Sequence, residues 1–269
     1  MQSQTVQHKE GGFVTLAGAG PGDPELITLK LQRRLQEADI IISDRLVHPD
    51  IISRHAKTGI PVILAGKQGY NAQSYTREEV AALIVREALQ GKRVLRLKGG
   101  DVAFFSNVLD ELEGLVQHEI PFEIIPGITA ASGFSAYTGI PLTARGYAQG
   151  VRFIAFNPTQ AYDECTWRSM GSGNETLVIY MAARNIGLLA KGLMQYEADP
   201  RRPVAVIEQA STPAQQLHLS TLGQCAVDFS GKTFSSPSLV IIGEVLRLGE
   251  RFRWFEGGSG VSVFRELGE

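Results

Sequence analysis

The sequence contains little cysteine. Cys165 and Cys225 are the two cysteines among 269 residues, and they lie far apart, outside any spacing typical of metal ligands. This excludes a disulfide framework, and no group of histidine, cysteine and aspartate has the spacing of a metal site. We therefore expect a protein of the reducing cytoplasm that binds no metal.

Long apolar runs and runs of one charge are also missing. No apolar stretch approaches the roughly 20 residues needed to cross a bilayer, and the polar N-terminal stretch MQSQTVQHKEGG does not resemble a signal peptide. The formal net charge is −2, and no run of lysine or arginine occurs. We therefore expect neither a nucleic acid nor a membrane as a partner.

The sequence does contain a regular alternation of strand-length apolar runs and amphipathic helical stretches. Residues 24–38 are expected to form one helix, and residues 76–91 a second, which opens with Thr76 and Glu79 at capping-box spacing. The strands are rich in valine, isoleucine and leucine, which predicts an α/β fold with a parallel sheet covered on both faces.

A change in character near residues 144–150 indicates a boundary between two α/β domains. The expected division is a disordered tail at 1–11, an N-terminal α/β domain at 12–146, a C-terminal α/β domain at 147–255 and a flexible tail at 256–269.

The first strand is followed by the glycine-rich turn GAGPGD, residues 18–23. A dinucleotide-binding loop has the spacing G-x-G-x-x-G, and amides at the start of its helix bind a pyrophosphate. Here the third glycine comes one residue early, and Pro21 and Pro24 have no N–H to donate. A nicotinamide-dependent oxidoreductase is therefore disfavoured, and an ordinary strand–helix turn is the alternative to a ligand-binding loop.

Two further strand ends have the same character. LKGGD, residues 97–101, and IIPGITAASG, residues 124–133, both place glycines and small residues after a strand. Ligands of open α/β sheets bind at the carboxyl ends of the strands. The three segments together suggest an adenosine-like ligand that is recognised largely by backbone atoms.

Taken in order, these segments resemble the tetrapyrrole methylase family. The match extends from about residue 12 to residue 255, and PGITAASG followed by GIPLT is its most specific part. The resemblance implies a two-domain α/β fold with S-adenosylmethionine in the interdomain cleft, S-adenosylhomocysteine as a product, and a homodimer. It implies C-methylation of uroporphyrinogen III to precorrin-2, in sirohaem or cobalamin-type biosynthesis.

The resemblance also assigns roles to residues. Asp44 matches the proton acceptor and Lys67 the proton donor. The alternatives are a loop ion pair of Asp44 with Arg45, and a solvated or carboxylate-binding Lys67. Ala210 stands where the family usually has glycine. The residues expected to line the cofactor are Pro21, Gly99, Gly100, Asp101, Phe104, Thr129, Ala130, Met181 and Ala210.

The substrate side of the site departs from the family. Uroporphyrinogen carries many carboxylates, for which Arg45, Arg145, Arg152 and Arg184 are the candidate cations. After GGD the family reads P-F-x-F-G-R-G-G-E-E, whereas this chain reads VAFFSNVLDE at residues 102–111. The arginine is replaced by Asn107, and the two glycines by Val108 and Leu109, which favours a helix here.

Because the divergence gathers in the segments that face the substrate in the family, two alternatives to uroporphyrinogen methylation stay open. One is a methyltransferase for another tetrapyrrole or corrinoid precursor, and the other is a non-catalytic binding protein. No stretch resembles the dehydrogenase module of sirohaem synthases, so oxidation and iron insertion are expected to lie elsewhere.

Overall fold

The computed structural model describes residues 11–65, 75–258 and 260–264, and the chain forms two compact units. The first unit contains residues up to Ile128, together with Phe264, and the second contains residues Thr129–Val263. The expected domain boundary lay later in the chain. The division comes earlier because Phe134 and Ile140 belong to the same apolar core as Val178 and Ile241, which lie on the second sheet.

The first unit consists of a sheet with helices on both faces. Its strands follow the order β3-β2-β4-β1-β5, and every neighbouring pair is parallel. The elements are β1 (Phe13–Gly18), α1 (Leu29–Glu37), β2 (Ile40–Ser43), α2 (Pro49–His55), β3 (Val62–Leu64), α3 (Arg77–Leu89), β4 (Arg93–Lys98), α4 (Val108–Gln117) and β5 (Phe122–Ile125).

Two apolar cores cover the two faces of this sheet. Val14 and Leu16 pack with residues of α3 and α4, while Ala17 and Leu97 pack with Leu31 and Leu35 of α1. Side chains of a strand point alternately to its two faces, so most positions of a strand covered on both sides are apolar. The predicted parallel sheet with two covered faces is confirmed.

Capping explains where the helices of this unit begin. Thr76 and Glu79 form the predicted capping box, since the Thr76 hydroxyl accepts from the Glu79 N–H at 3.2 Å and the Glu79 carboxylate accepts from the Thr76 N–H at 2.6 Å. The single helix expected over residues 24–38 is wrong. A 3₁₀ turn at Pro24–Leu26 is followed by extended Thr28, which caps α1 through the Leu31 N–H.

The second unit contains a mixed sheet with the strand order β6-β7-β10-β8-β9. β6 and β7 are parallel, and the other neighbouring pairs are antiparallel. The elements are α5 (Ala130–Thr138), β6 (Val151–Ala155), α6 (Glu164–Gly171), β7 (Thr176–Tyr180), α7 (Ile186–Gln195), β8 (Pro203–Glu208), β9 (Gln216–Thr221), α8 (Cys225–Asp228), β10 (Ser238–Ile242) and α9 (Gly249–Phe252).

Part of the segment expected to be a flexible tail is held by hydrogen bonds. The N–H groups of Gly258 and Gly260 donate to the Pro213 carbonyl at 3.0 and 3.3 Å, and Phe264 is buried in the first unit with its ring 6.4 Å from that of His48. Residues 1–10, 66–74, 259 and 265–269 lie outside the described part of the chain.

Candidate functional site

The glycine turns of the first unit lie side by side at the carboxyl edge of its sheet. Because β4, β1 and β5 are neighbours, the turns that follow them are brought together. Gly20 and Gly100 exchange two backbone hydrogen bonds, of 3.0 and 2.8 Å. Tertiary structure thus joins the three backbone-rich strand ends.

The approach of these turns leaves no room for side chains. A Cβ atom on Gly18 would lie 2.6 Å from the Gly100 carbonyl oxygen and 2.7 Å from the Gly127 nitrogen. A Cβ atom on Gly127 would overlap the Gly100 carbonyl oxygen. The three glycines therefore form a cradle of bare backbone, which we call the glycine cradle.

The Asp101 carboxylate holds the cradle together. One oxygen, Oδ2, accepts from the Gly127 N–H at 2.7 Å, and the other, Oδ1, accepts from the Ala103 N–H at 2.8 Å. Asp101 is buried. Its carboxylate therefore fixes the turns after β4 and β5. Of the other residues expected to line a cofactor here, Pro21 is buried and Gly99, Gly100 and Phe104 are half-buried.

The start of α1 is unsuited to a pyrophosphate. The 3₁₀ turn, with Glu25 in it, separates the glycine turn from Leu29, and the Thr28 hydroxyl occupies the Leu31 N–H at 3.1 Å. A dinucleotide-binding loop leads directly into its helix and leaves those amides free for phosphate oxygens. This geometry agrees with the argument made from Pro21 and Pro24 against a dinucleotide.

In the second unit, the remaining expected cofactor residues lie at one edge of the sheet. Met181 follows β7 and Ala210 follows β8, and both strands end at the edge where the intervening β10 begins. The Thr129 hydroxyl is 2.6 Å from the Tyr180 hydroxyl, which ties the N-terminus of α5, with the half-buried Ala130, to the end of β7.

The backbone at this edge is strained. Met181 has φ +61° and is 64% exposed, and Gln209 and Ser211, on either side of Ala210, have φ +47° and +67°. Left-handed conformations of residues other than glycine cost about 1–3 kcal/mol each and collect at functional sites. The strain marks the same two turns that the sequence resemblance selects.

Asp44 follows β2 at the carboxyl edge of the first sheet, next to β4, which is followed by Gly100 of the glycine cradle. Its N–H donates to the Leu97 carbonyl at 3.0 Å, and its Oδ1 accepts from Arg96 Nη2 at 2.5 Å. The Asp44 side chain is 29% exposed. The structure therefore pairs Asp44 with Arg96. Lys67 lies outside the described residues.

A buried cluster of charges, which was not predicted from the sequence, lies behind Asp44. Arg96 and Lys98 on β4 both donate to Glu111 Oε1, at 2.9 and 2.8 Å, and all three side chains are almost completely buried. Arginine and lysine inside an otherwise apolar strand were the available signal, because buried charges require partners.

The charged state of this cluster is set by burial and by its neighbours. Burial opposes the positive charge of Arg96, but the carboxylates of Asp44 and Glu111 outweigh that effect and raise the pKa of the guanidinium. Burial and the nearby Arg96 lower the pKa of Lys98, although Glu111 acts in the opposite direction.

Of the four candidate substrate arginines, Arg45 belongs to the first unit and Arg145, Arg152 and Arg184 belong to the second. Arg45 adjoins Asp44, the exposed Arg184 lies just after Met181, and Arg145 is exposed in the turn closed by Ala144 and Ala148. Arg152 lies on β6 opposite Leu177, near the start of β7, and therefore at the opposite end of the sheet from Met181. Its guanidinium contacts Ser169 at 2.8 Å and Glu175 at 3.0 Å.

Within residues 11–65, 75–258 and 260–264, no group of three or more histidine, cysteine, aspartate or glutamate side chains is arranged to hold a metal ion. No helix in these ranges has the length and apolar character needed to cross a bilayer.

The fold and these sites define a class: an α/β protein with two five-stranded sheets and with glycine turns and strained turns at strand ends. Residues 14–226 match the family described as tetrapyrrole (corrin/porphyrin) methylases. The chain belongs to the tetrapyrrole methylase family, as the sequence motifs predicted.

Solved structures support the same assignment. The chain is similar to the uroporphyrin-III C-methyltransferase of Thermus thermophilus complexed with S-adenosylhomocysteine, with a TM-score of 0.73 and 34% identity over 88% of this chain and 94% of that one. A cobalt-precorrin-4 methyltransferase shares the fold, with a TM-score of 0.76 and 23% identity over 87% of this chain and 95% of that one.

Similar curated proteins include siroheme synthases. That of Neisseria meningitidis serogroup C is 42% identical over 97% of this chain and 54% of its own length. That of Azotobacter vinelandii is 40% identical over 91% of this chain and 53% of its own length. The chain thus spans about half the length of these relatives.

Proposed function

We propose that this chain uses S-adenosylmethionine to methylate carbon atoms of a tetrapyrrole, and that it converts uroporphyrinogen III to precorrin-2. The observation that carries this proposal is the glycine cradle formed by Gly18, Gly100 and Gly127. A relative with 34% identity over almost its whole length was solved with S-adenosylhomocysteine. The product of this reaction would feed sirohaem or cobalamin-type biosynthesis.

The residues present fit a nucleoside without phosphates. Gly100 and Gly127 are half-buried and carry no side chain, Pro21 has no N–H, and the Leu31 N–H of α1 donates to its own cap. In the first unit, Gly99, Gly100 and Phe104 are the residues proposed to hold the ligand. In the second unit, the family resemblance assigns Thr129, Ala130, Met181 and Ala210 to the cofactor. Asp101 would act by fixing the cradle. When bound, S-adenosylmethionine supplies an electrophilic methyl group.

Asp44 is the proposed proton acceptor. Adding a methyl group to a pyrrole carbon leaves the tetrapyrrole with one more positive charge, and the loss of a proton restores its original charge. The Asp44 carboxylate is partly exposed, and Arg96 holds it on one oxygen. It can therefore accept the proton with its other oxygen. Lys67 is proposed to donate a proton or to bind a substrate carboxylate.

Arg45, Arg145 and Arg184 are the proposed substrate cations. An arginine binds a carboxylate through two parallel N–H groups, which suits a substrate with many carboxylates. Arg145 and Arg184 are exposed, and Arg45 is half-buried beside Asp44. We leave Arg152 out of the proposed site, because its guanidinium is already bonded to Ser169 and Glu175 at the far end of β6 and β7.

The test is an anaerobic assay with enzymatically generated uroporphyrinogen III and labelled S-adenosylmethionine, with products identified by absorbance and mass. Asp44→Asn should retain binding of S-adenosylhomocysteine by calorimetry but lose roughly 10²-fold or more in turnover. Asp39→Asn, at the other end of β2, is the matched control and should retain full turnover. Unchanged turnover in Asp44→Asn would remove Asp44 from the mechanism.

A second candidate function rests on the altered segment before α4. Val108 and Leu109, which replace two glycines of the family pattern, begin this helix, and Leu109 is 63% exposed. This departure favours another tetrapyrrole or corrinoid precursor, or a binding protein without catalysis. Methyl transfer to another precursor but not to uroporphyrinogen III would support the first alternative. Binding of S-adenosylhomocysteine without transfer to any tetrapyrrole would support the second.

We further propose that the protein works as a homodimer in the cytoplasm. The dimer follows from the family resemblance, and sedimentation velocity measures it directly. A reducing compartment suits the two free cysteines, Cys165 and Cys225. Fractionation of source cells, with detection of the native protein, tests the location.

A further inference from the structure

A buried cluster of four charged side chains links α4 to Asp44. Arg96 lies at its centre and uses its guanidinium to contact both carboxylates, Glu111 through Nε and Asp44 through Nη2. Lys98 adds a second cation to Glu111 Oε1. The cluster thus contains two cations and two carboxylates, and only Asp44 is appreciably exposed.

Backbone contacts fix the position of Arg96. Its Nη1 donates to the Leu97 carbonyl at 3.0 Å and to the Ile42 carbonyl at 3.3 Å, so the guanidinium is anchored to β2 and β4 together. A planar group held at several N–H positions has one allowed orientation. Asp44 accepts from Nη2 of this guanidinium, so its carboxylate is held in one orientation as well.

Glu111 balances the charge of this anchor. Its Oε1 accepts from both Arg96 and Lys98, while its Oε2 is buried and has no hydrogen-bond partner within the described part of the chain. A buried carboxylate with an unsatisfied oxygen is costly in free energy. Its presence here is explained by the two buried cations, which need a compensating negative charge.

We propose that Arg96 and Glu111 are positioning residues for Asp44: Arg96 aims the carboxylate, and Glu111 holds Arg96 and compensates its buried charge. This inference rests on the proposed role of Asp44 as proton acceptor. It also connects the divergent segment 102–111 to the reaction, because Glu111 lies in the first turns of α4.

The proposal predicts that both residues act on turnover rather than on binding, because each acts through the orientation of Asp44. Removing the charge of Glu111 takes away the carboxylate that Arg96 and Lys98 share, so Arg96 loses one of the groups that hold it. Removing the guanidinium of Arg96 frees Asp44 from the contact that aims it. Among the described residues, the charged groups near Asp44 are Arg96 and Lys98 from β4, Glu111 from α4 and the adjacent Arg45.

The experiment compares wild type with Glu111→Gln, Arg96→Met and Arg96→Lys. For each variant, kcat and KM are measured in the anaerobic assay, and binding of S-adenosylhomocysteine is measured by calorimetry. The matched control is Glu87→Gln. Glu87 is also a buried carboxylate with two cation partners, Arg86 and Lys92, but lies at the opposite end of the sheet.

In Glu111→Gln and Arg96→Met, kcat should fall roughly 10²-fold with little change in KM, because the reaction loses a positioned carboxylate. Arg96→Lys keeps the charge but loses the fork, so its kcat should also fall roughly 10²-fold with little change in KM. Glu87→Gln should leave kcat unchanged.

Wild-type kcat in both Glu111→Gln and Arg96→Met would overturn the proposal. Full kcat in Arg96→Lys would do the same for the aiming role. Glu111→Asp, which keeps the charge on a shorter side chain, replaces Glu111→Gln if the latter does not fold, and its kcat should fall with little change in KM. If wild type transfers no methyl group, the proposed function fails, whereas transfer by wild type with full kcat in these variants overturns the positioning roles alone.

Discussion

Asp101 offers the sharpest test of how the glycine cradle is held. In Asp101→Asn, one carboxylate oxygen becomes an NH₂ group of nearly the same size. The side chain can then accept from only one of its two backbone partners, the N–H of Gly127 or that of Ala103. The other backbone N–H then faces the new NH₂ group, which is also a donor. The turns after β4 and β5 therefore lose one of the hydrogen bonds that hold them.

The expected cost follows from the hydrogen bond that is lost. A hydrogen bond to a charged group contributes about 1.5–3 kcal/mol, and an unsatisfied buried partner costs about 1–3 kcal/mol. Because Asp101 is buried, little water can compensate. We expect the free energy of unfolding to fall by about 2 kcal/mol. If the cradle binds the nucleoside, S-adenosylhomocysteine should bind at least about tenfold more weakly, which corresponds to about 1.4 kcal/mol.

Urea unfolding and calorimetric titration with S-adenosylhomocysteine measure the two effects. Asp163→Asn is the control, because Asp163 also accepts backbone N–H donation, at the exposed start of α6, where asparagine caps equally well. It should change neither quantity appreciably. If Asp101→Asn keeps the wild-type free energy of unfolding and the wild-type affinity for S-adenosylhomocysteine, the conclusion that this carboxylate holds the turns after β4 and β5 is refuted.

The remaining predictions concern packing and pH. Gly127→Ala should weaken S-adenosylhomocysteine binding about tenfold or more in calorimetry, because its Cβ overlaps the Gly100 carbonyl oxygen. By contrast, Gly114→Ala should stabilise α4 by up to about 1 kcal/mol, because its Cβ meets only side chains at 3.4 Å and beyond. Equal losses of S-adenosylhomocysteine affinity in Gly127→Ala and Gly114→Ala would contradict the role of the cradle. Partial burial alone would raise the pKa of Glu123, but hydrogen bonds and charges from Arg34 and Lys30 lower it to about 2. Glu123→Gln should therefore cost about 1–2 kcal/mol at pH 7, a value reduced for solvent screening. Because the lowered pKa stabilises the fold only while Glu123 is ionised, this cost should vanish as pH falls from about 4.5 to about 2 in unfolding experiments at each pH, and a constant difference would exclude the ion pairs as its cause.

The sequence by itself determined the features that depend on neighbouring residues. Strand-length runs of valine, isoleucine and leucine indicated the parallel sheet, and Thr76 with Glu79 fixed the start of α3. Pro21 and Pro24 argued against a pyrophosphate site before any geometry was known. These inferences succeed because backbone conformation, capping and the lack of a donor are local properties. The family also followed from short motifs read in order.

Only the tertiary structure decided which distant residues meet. Asp101 and Gly127, or Asp44 and Arg96, are far apart in the chain, and parallel strand order brings each pair to one edge of the sheet. The same holds for Glu111, whose carboxylate looked like one more polar residue at the start of a helix. In the folded chain the Glu111 carboxylate is buried beside Arg96 and Lys98 and accepts from both. Charges removed from water need an opposite charge nearby, and the tertiary structure decides which residue supplies it.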